Sequence, residues 1–381
     1  KDNANVVIRH PSHFHKRSND FLFDPRVHYD RFSRRFIAVA SELVSLTHID
    51  IAISRSSDPS DLNDESWCTY RVPSKTPAGT WPDFPIVGMN EKWLVVTTNQ
   101  FTRTRPTFKR SLIKIIDLSA LANNATACPK IKVYSGSDTN VHIFPAQHHT
   151  QSGSHGHPLY MIASPVAQLA DQYFLFTVQG SSRPSISKRI VSGAQPFGFP
   201  PNALQPGGAP FATQGALIND AEFRKDSLYF THNTACSIGP LPNETCVRIV
   251  KLDLSGNSPV FRFQATVGGG HNNFFWFPSI AVNSAESTAL VFQQSGKKRR
   301  LGLAHTSKRN AAANFGAYKI LKTGECSREV FDSVDNNRSG DYTGVHIDPA
   351  DDKGVWYAAE YAKKVGGSCQ WGTYIVNVKS P

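Results

Sequence analysis

The chain has 381 residues, 40% hydrophobic and 19% charged, a balance that excludes disorder and fits two average domains or one large all-β domain. Its 41 Lys and Arg outnumber its 30 Asp and Glu, and the formal charge of +11 favours acidic partners: anionic polysaccharide, nucleic acid or a membrane surface. No apolar run reaches the ~18 residues of a spanning helix, so no membrane segment is expected.

The chain opens at Lys1 with neither initiator Met nor signal peptide, which reads as a mature, processed product. An apolar segment, ANVVIRHP (4–11), precedes any repeating pattern. A four-strand unit then begins: DPRVHYD (24–30), RFIAVAS (35–41), IDIAISRS (49–56) and WCTYRVP (67–73). Similar units are predicted over 84–136, 141–193, 217–267 and 277–324, a step of about 60 residues that marks an internal repeat. The last unit, 341–380, holds only three strands. The orphan strand 4–11 supplies the missing one, so the expectation is a single domain over 1–381, an all-β, six-bladed β-propeller closed by its N-terminal strand. Radial repetition also removes exposed sheet edges. A seven-bladed ring is the alternative, with one more unit in 194–216. That Pro- and Gly-rich stretch lacks an alternating pattern and reads as a loop.

No Trp-Asp repeat ending, kelch double glycine or sialidase Asp-box is present. The segments FDPRVHYDRFSRRFIAVAS, WPDFPIVGMNEKWLVVTTNQF, FPSIAVN, SGDYTGVHIDP and QWGTYIVNV span nearly the whole chain. On them the chain resembles a loosely defined group of secreted β-propeller proteins without settled activity. The resemblance implies architecture only.

Three sequons, at Asn124, Asn243 and Asn337, and six Cys without a metal-type pair fit a secreted, glycosylated, disulfide-bonded protein. The blade order selects one of 15 pairings: Cys68–Cys128, Cys236–Cys246 and Cys326–Cys369.

In a propeller, alternate loops open on one face around the axis. Mapped so, that face receives Arg103, Arg105, Lys109, Arg110, Lys297, Lys298, Arg299, Arg300, Lys363 and Lys364, with Trp276 among them. Guanidinium forks and ammonium groups suit a carboxylated ligand; the other reading is ordinary exposed loops, where Lys and Arg are common. Cleaving an acidic polysaccharide there would need a base, an acid and a cation, and His232, His271, Tyr342 and Arg338 have those chemistries. Whether the chain is an enzyme stays open. One reading is an extracellular binding or structural module for glycans or glycoproteins. The alternative is a polysaccharide lyase or glycosidase acting on an acidic polysaccharide.

Five of the 14 His fall within 142–158, but without Cys or carboxylate neighbours they read as a solvated loop, and no metal site is expected. Asp24, Asp83, Asp220 and Asp341 recur near inner strands; they read as turn caps, with a structural cation on the axis as the other possibility. No cofactor fingerprint and no nucleic-acid module is recognisable.

Overall fold

The computed structural model describes residues 22–42, 48–59, 66–74, 79–104, 106–119, 128–150, 158–237 and 244–379. The expected strand 4–11, Arg105, and the sequons at Asn124 and Asn243 lie outside these residues. Every element bounded among the described residues is a strand, and none of their helices is long and apolar enough to cross a membrane. The chain divides into two compact units, residues 1–159 with 177–187, and residues 160–176 with 188–381.

The first unit holds two four-stranded antiparallel meanders. Sheet 1 runs Leu22–Asp30, Arg35–Glu42, His48–Ser54 and Trp67–Pro73. Sheet 2 runs Thr80–Met89, Trp93–Thr102, Phe108–Asp117 and Val133–Asp138. Ile37, Val39, Ile49, Ile51 and Ile53 of sheet 1 bury against Val87, Met89, Leu94, Val96 and Ile116 of sheet 2. Period-two alternation puts these side chains on one face of each sheet. The short strand Gln147–His148 pairs in parallel with the first strand of sheet 2. Only glycine fits at position 88 beneath it, because a Cβ there would lie 2.4 Å from the Pro145 carbonyl oxygen. Phe144–Pro145 belongs to the first unit, and strands Leu159–Ala163, Leu169–Gln179 and Ser185–Gly198 contribute residues to both units.

The second unit holds sheet 4 (Ile218–Arg224, Ser227–Ala235, Thr245–Asp253, Val260–Val267) and sheet 5 (Asn273–Val282, Thr288–Gly296, Arg299–Lys308, Lys319–Lys322). Sheet 6 (Gly344–Ile347, Gly354–Val365, Ser368–Lys379) has three strands. Sheet 5 is buried on both faces. Ile280, Val282, Leu290 and Phe292 pack toward Tyr229, Val247 and Ile249 of sheet 4. Ala281, Ala289, Val291 and Leu303 pack toward Val345, Val355, Tyr357 and Tyr361 of sheet 6. Within each unit, successive meanders stacked face to face form a propeller-like arrangement.

A local device recurs at the first strand of several sheets. Asp24, Phe84 and Phe277 each precede a proline and take φ of +50°, +52° and +47°. The ladder shifts at these points, between Phe23 and Arg26, Asp83 and Ile86, and Trp276 and Ser279. Proline lacks the N–H that a regular ladder would need, so a bulge is the place where it fits. Asparagines on second strands hold the strained turns. Asn99 Oδ1 accepts the His142 N–H at 3.0 Å, and Asn233 Oδ1 accepts the Phe277 N–H at 2.8 Å.

The stretch 194–216 is not a loop throughout. It carries the end of Ser185–Gly198 and a small hairpin, Ala203–Gln205 with Gly208–Phe211. Pro206 and Gly207 make its turn, with Gly207 at φ +62°, and Phe211 is fully buried. So short a hairpin shows no alternation long enough to be read.

Disulfides join Cys68 to Cys128, Cys236 to Cys246 and Cys326 to Cys369, the pairs that the blade order selects.

Candidate functional site: a basic ridge and a buried arginine

The predicted cations divide between the units. Arg103, Lys109 and Arg110 are exposed in the first, where Arg110 reaches Ser137 Oγ at 3.3 Å. In the second, Lys297 is exposed, while Arg299 lies half-buried against Tyr318, its Nη1 donating to the hydroxyl at 3.0 Å.

Three segments of the second unit converge on Glu325. Arg300 Nη1 donates to the Glu325 carbonyl at 3.1 Å, and Lys322 Nζ to Glu325 Oε1 at 3.0 Å. The Lys364 backbone N–H donates to Glu325 Oε2 at 3.0 Å, and the Glu325 N–H to the Ala362 carbonyl at 2.8 Å. The Lys322 ammonium holds the Glu325 carboxyl below its ordinary range, helped by the Lys364 N–H. The Cys326–Cys369 disulfide fastens this turn to the long hairpin of sheet 6. Lys322 pairs with this carboxylate, Arg300 caps the Glu325 carbonyl, and the exposed Lys363 and Lys364 lie on the adjoining strand, which leaves a surplus of positive charge. We refer to this surface as the ridge.

Beside it, Arg328 is only 5% exposed, with its guanidinium carbon 3.2 Å from the centre of the Trp371 ring. Its main chain is clamped: the Arg328 N–H donates to Gln205 Oε1 at 3.0 Å, and its carbonyl accepts from Gln205 Nε2 at 2.7 Å and from Asn337 Nδ2 at 3.1 Å. Yet Arg328 Nε and Nη1 find no acceptor among the described residues. Burial pushes the Arg328 pKa down, and the nearby Glu360 carboxylate opposes that shift.

Glu360 faces away from the core, since Ala359 and Tyr361 on either side face into it. Its Oε2 is buried without a hydrogen-bond partner. Burial pushes the Glu360 carboxyl up to about 7, with Arg328 opposing and Asp341 adding to the rise. Gly340 permits this placement, because a Cβ there would lie 2.7 Å from Glu360 Oε2. Arg338 bridges Asp332, at 3.2 Å, and Asp341, which also receives the Gln214 amide. Its carboxylate partners hold Arg338 fully charged and raise its pKa against burial.

The four residues predicted for catalysis are not assembled into one constellation. His232 is fully buried, between the Tyr173 hydroxyl at 2.8 Å from Nε2 and the Asn233 carbonyl at 2.7 Å from Nδ1. Burial pushes its pKa down to about 3, so it is a neutral core tie and not a solvent-facing base. His271 is exposed and pairs with Glu244 at 3.1 Å. Arg338 has its guanidinium committed to carboxylates, and Tyr342 is half-buried beside Asp341. Trp276 corrects the expected ligand contact: it is wholly buried, donating from Nε1 to Ser339 Oγ at 3.0 Å. The expected solvated His loop is corrected at two positions. His142 is buried and stacks on Phe84 at 4.5 Å, and His148 is fully buried with its pKa pushed down to about 3. Residues 151–157 of that loop lie outside the described residues.

Asn337 is 2% exposed, and its Nδ2 donates to the Ala209 and Arg328 carbonyls, so the folded chain offers no glycan acceptor there. Asp220 accepts from the Ile280 and Ala221 N–H groups, which ties sheets 4 and 5. No three His, Cys, Asp or Glu side chains gather at metal-binding spacing among the described residues. Arg328 and Glu360 were not legible as site residues. The only sequence signal is that Glu360 breaks an apolar strand on its outward face.

No protein-family model matches the chain, and no curated protein does. Among solved structures, it is similar to a protein of unknown function from Dyadobacter fermentans, at 10% identity and TM-score 0.44, over 93% of this chain and 94% of that one. It is also similar to Trypanosoma rangeli sialidase, at 11% identity and TM-score 0.41, over 93% of this chain and 54% of that one. A glycosyl hydrolase from Bacteroides ovatus is similar at 10% identity and TM-score 0.34, over 76% of this chain and 84% of that one. The chain thus spans about half the length of the sialidase. Such low identity says nothing of chemistry in this chain.

Proposed function

We propose that this chain is a secreted, six-bladed β-propeller that binds an acidic glycan through the ridge. The observation that carries the reading is the cluster of cations at the Glu325 turn: Lys322 pairs with the carboxylate, Arg300 caps the Glu325 carbonyl, and the strand bearing Lys363 and Lys364 is tied to the same carboxylate through the Lys364 N–H. Three disulfides support an oxidising, extracellular setting. The test is binding of polygalacturonate and dextran sulfate by the intact chain across a salt series. Affinity falls steeply as salt screens the contacts, and the paired substitution Lys363→Gln with Lys364→Gln weakens both polymers several-fold. Binding that ignores salt, or no binding at all, refutes the reading. A second reading, cleavage of the same polymer, is favoured by Glu360, since a carboxyl near pKa 7 suits acid–base work. Release of new unsaturated uronate ends or new reducing ends supports it, and an unchanged polymer refutes it.

A further inference from the structure

We propose that Arg328, laid on Trp371 and flanked by Glu360, takes the carboxylate of a uronate and forms a carboxylate-selective subsite beside the ridge. This rests on the acidic-glycan reading. An arginine fixed by four main-chain and side-chain contacts would ordinarily spend its guanidinium on a structural partner. Here the contacts with Gln205 and Asn337 hold only the backbone, and Trp371 holds only the plane of the guanidinium. Nε and Nη1 remain unmatched although the residue is 95% withdrawn from solvent, as its 5% exposure states. Burying unpaired donors is costly, and a carboxylate is the planar acceptor that a guanidinium fork fits. Nη2 likewise has no partner among the described residues and is absent from the buried unpaired atoms, so the outer edge of the fork is the part a ligand meets first.

Glu360 explains why the site is not already filled from within. No ion pair joins it to Arg328, and its Oε2 stays without a hydrogen bond. Below about pH 7 the Glu360 carboxyl keeps its proton, is compatible with an incoming carboxylate and can donate a hydrogen bond to it, whereas above that pH the ionised form repels it. Trp371, 38% exposed, borders the same spot and supplies a fluorescent reporter.

The experiment uses the intact protein with two polymers, galacturonate and its methyl ester. Arg328→Gln is expected to weaken polygalacturonate roughly tenfold or more, the worth of one charge-assisted pair, and to leave dextran sulfate unchanged. Arg328→Lys keeps the charge but not the fork and should recover only part of the loss. Because Arg328 is buried, a wild-type measurement stands beside the variants. Galacturonate should change the tryptophan fluorescence, its neutral methyl ester should not, and Trp371→Phe should abolish the response. The subsite is overturned if Arg328→Gln binds polygalacturonate as tightly as wild type, if it weakens both polymers equally, or if galacturonate leaves the fluorescence unchanged. In each of those cases the paired Lys363 and Lys364 variant still reports on the ridge. Failure of the wild-type protein to bind either polymer removes the subsite and the ridge reading together.

Discussion

Asn233→Ala isolates the device that starts the first strand of sheet 5. Asn233 is 1% exposed; its Oδ1 accepts the Phe277 N–H at 2.8 Å, and its Nδ2 donates to the Thr213 carbonyl at 2.6 Å. Alanine leaves one donor and one acceptor unpaired in the interior. Each unmatched group costs about 1–3 kcal/mol, so the expected loss is ~2–6 kcal/mol. Part of that loss falls on the Phe277 turn, whose φ of +47° is held against a bulky side chain's preference. Urea unfolding of the intact chain, followed by near-ultraviolet circular dichroism, measures it as a lowered midpoint. Asn233→Asp keeps the acceptor but turns a carboxylate toward the Thr213 carbonyl, so its cost should shrink as acid neutralises it. Asn99→Ala provides the counterpart in the first unit, where Asn99 Oδ1 accepts from the His142 N–H at 3.0 Å and from Ser111 Oγ at 3.2 Å. An Asn233→Ala change within about 0.5 kcal/mol of wild type, the scatter of ordinary surface substitutions, would refute the idea that these asparagines hold the turns.

Two further outcomes are expected. Glu360 titrates at about 7 in the fold against 4.5 for an ordinary glutamate, so the native state keeps a proton that the unfolded chain gives up. Its contribution is therefore fully present below about pH 4.5 and lost as pH rises through about 7. Thermal unfolding of wild type and Glu360→Gln should show a difference that falls across that window and is flat above it; a difference independent of pH contradicts the assignment. Replacing Cys326 and Cys369 by serine opens a loop of 43 residues and should cost about 2–5 kcal/mol in chemical unfolding. It should also weaken dextran sulfate binding, because the Glu325 turn loses its tether, and retained affinity would detach the ridge from the disulfide.

The strands were legible because alternation is written over whole segments. Sheet 5 reads as apolar on both faces through FFWF and TALVF, and it is buried on both. That same reading should have placed Trp276 inside. Its position after a Gly-rich stretch suggested a ligand contact, but no polar residue alternates with it. The bulges were hidden because left-handed φ at Phe84 and Phe277 contradicts the local preference of residues before proline, and only a distant asparagine sustains it at Phe277. His232 looked catalytic by type. Tyr173, 59 residues away in sequence, supplies the partner that makes it structural. Arg328 carried no local signal, since the Gln205 that clamps it lies 123 residues upstream. Its chemistry belongs to the tertiary structure. The cations at 297–300 and 363–364 were legible as charge, but the meeting of Arg300 and the Lys363–Lys364 strand at the Glu325 turn follows from hairpin register and a disulfide.

The clamp on Arg328 turns the sequon Asn337-Arg-Ser339 into a race. Asn337 Nδ2, the atom a glycan would occupy, is the donor to the Ala209 and Arg328 carbonyls. In a compartment that glycosylates nascent chains, the transferase and the folding chain compete for that nitrogen. A chain modified first cannot close the contact between Asn337 and Arg328, and it would carry a sugar where the fold requires a buried amide. A chain that folds first hides its sequon for good. In such a compartment the fraction of chains with a buried Asn337 amide would depend on how quickly the hairpin at Ala203–Phe211 meets the segment after Cys326, so folding rate, and not only sequence, would set it.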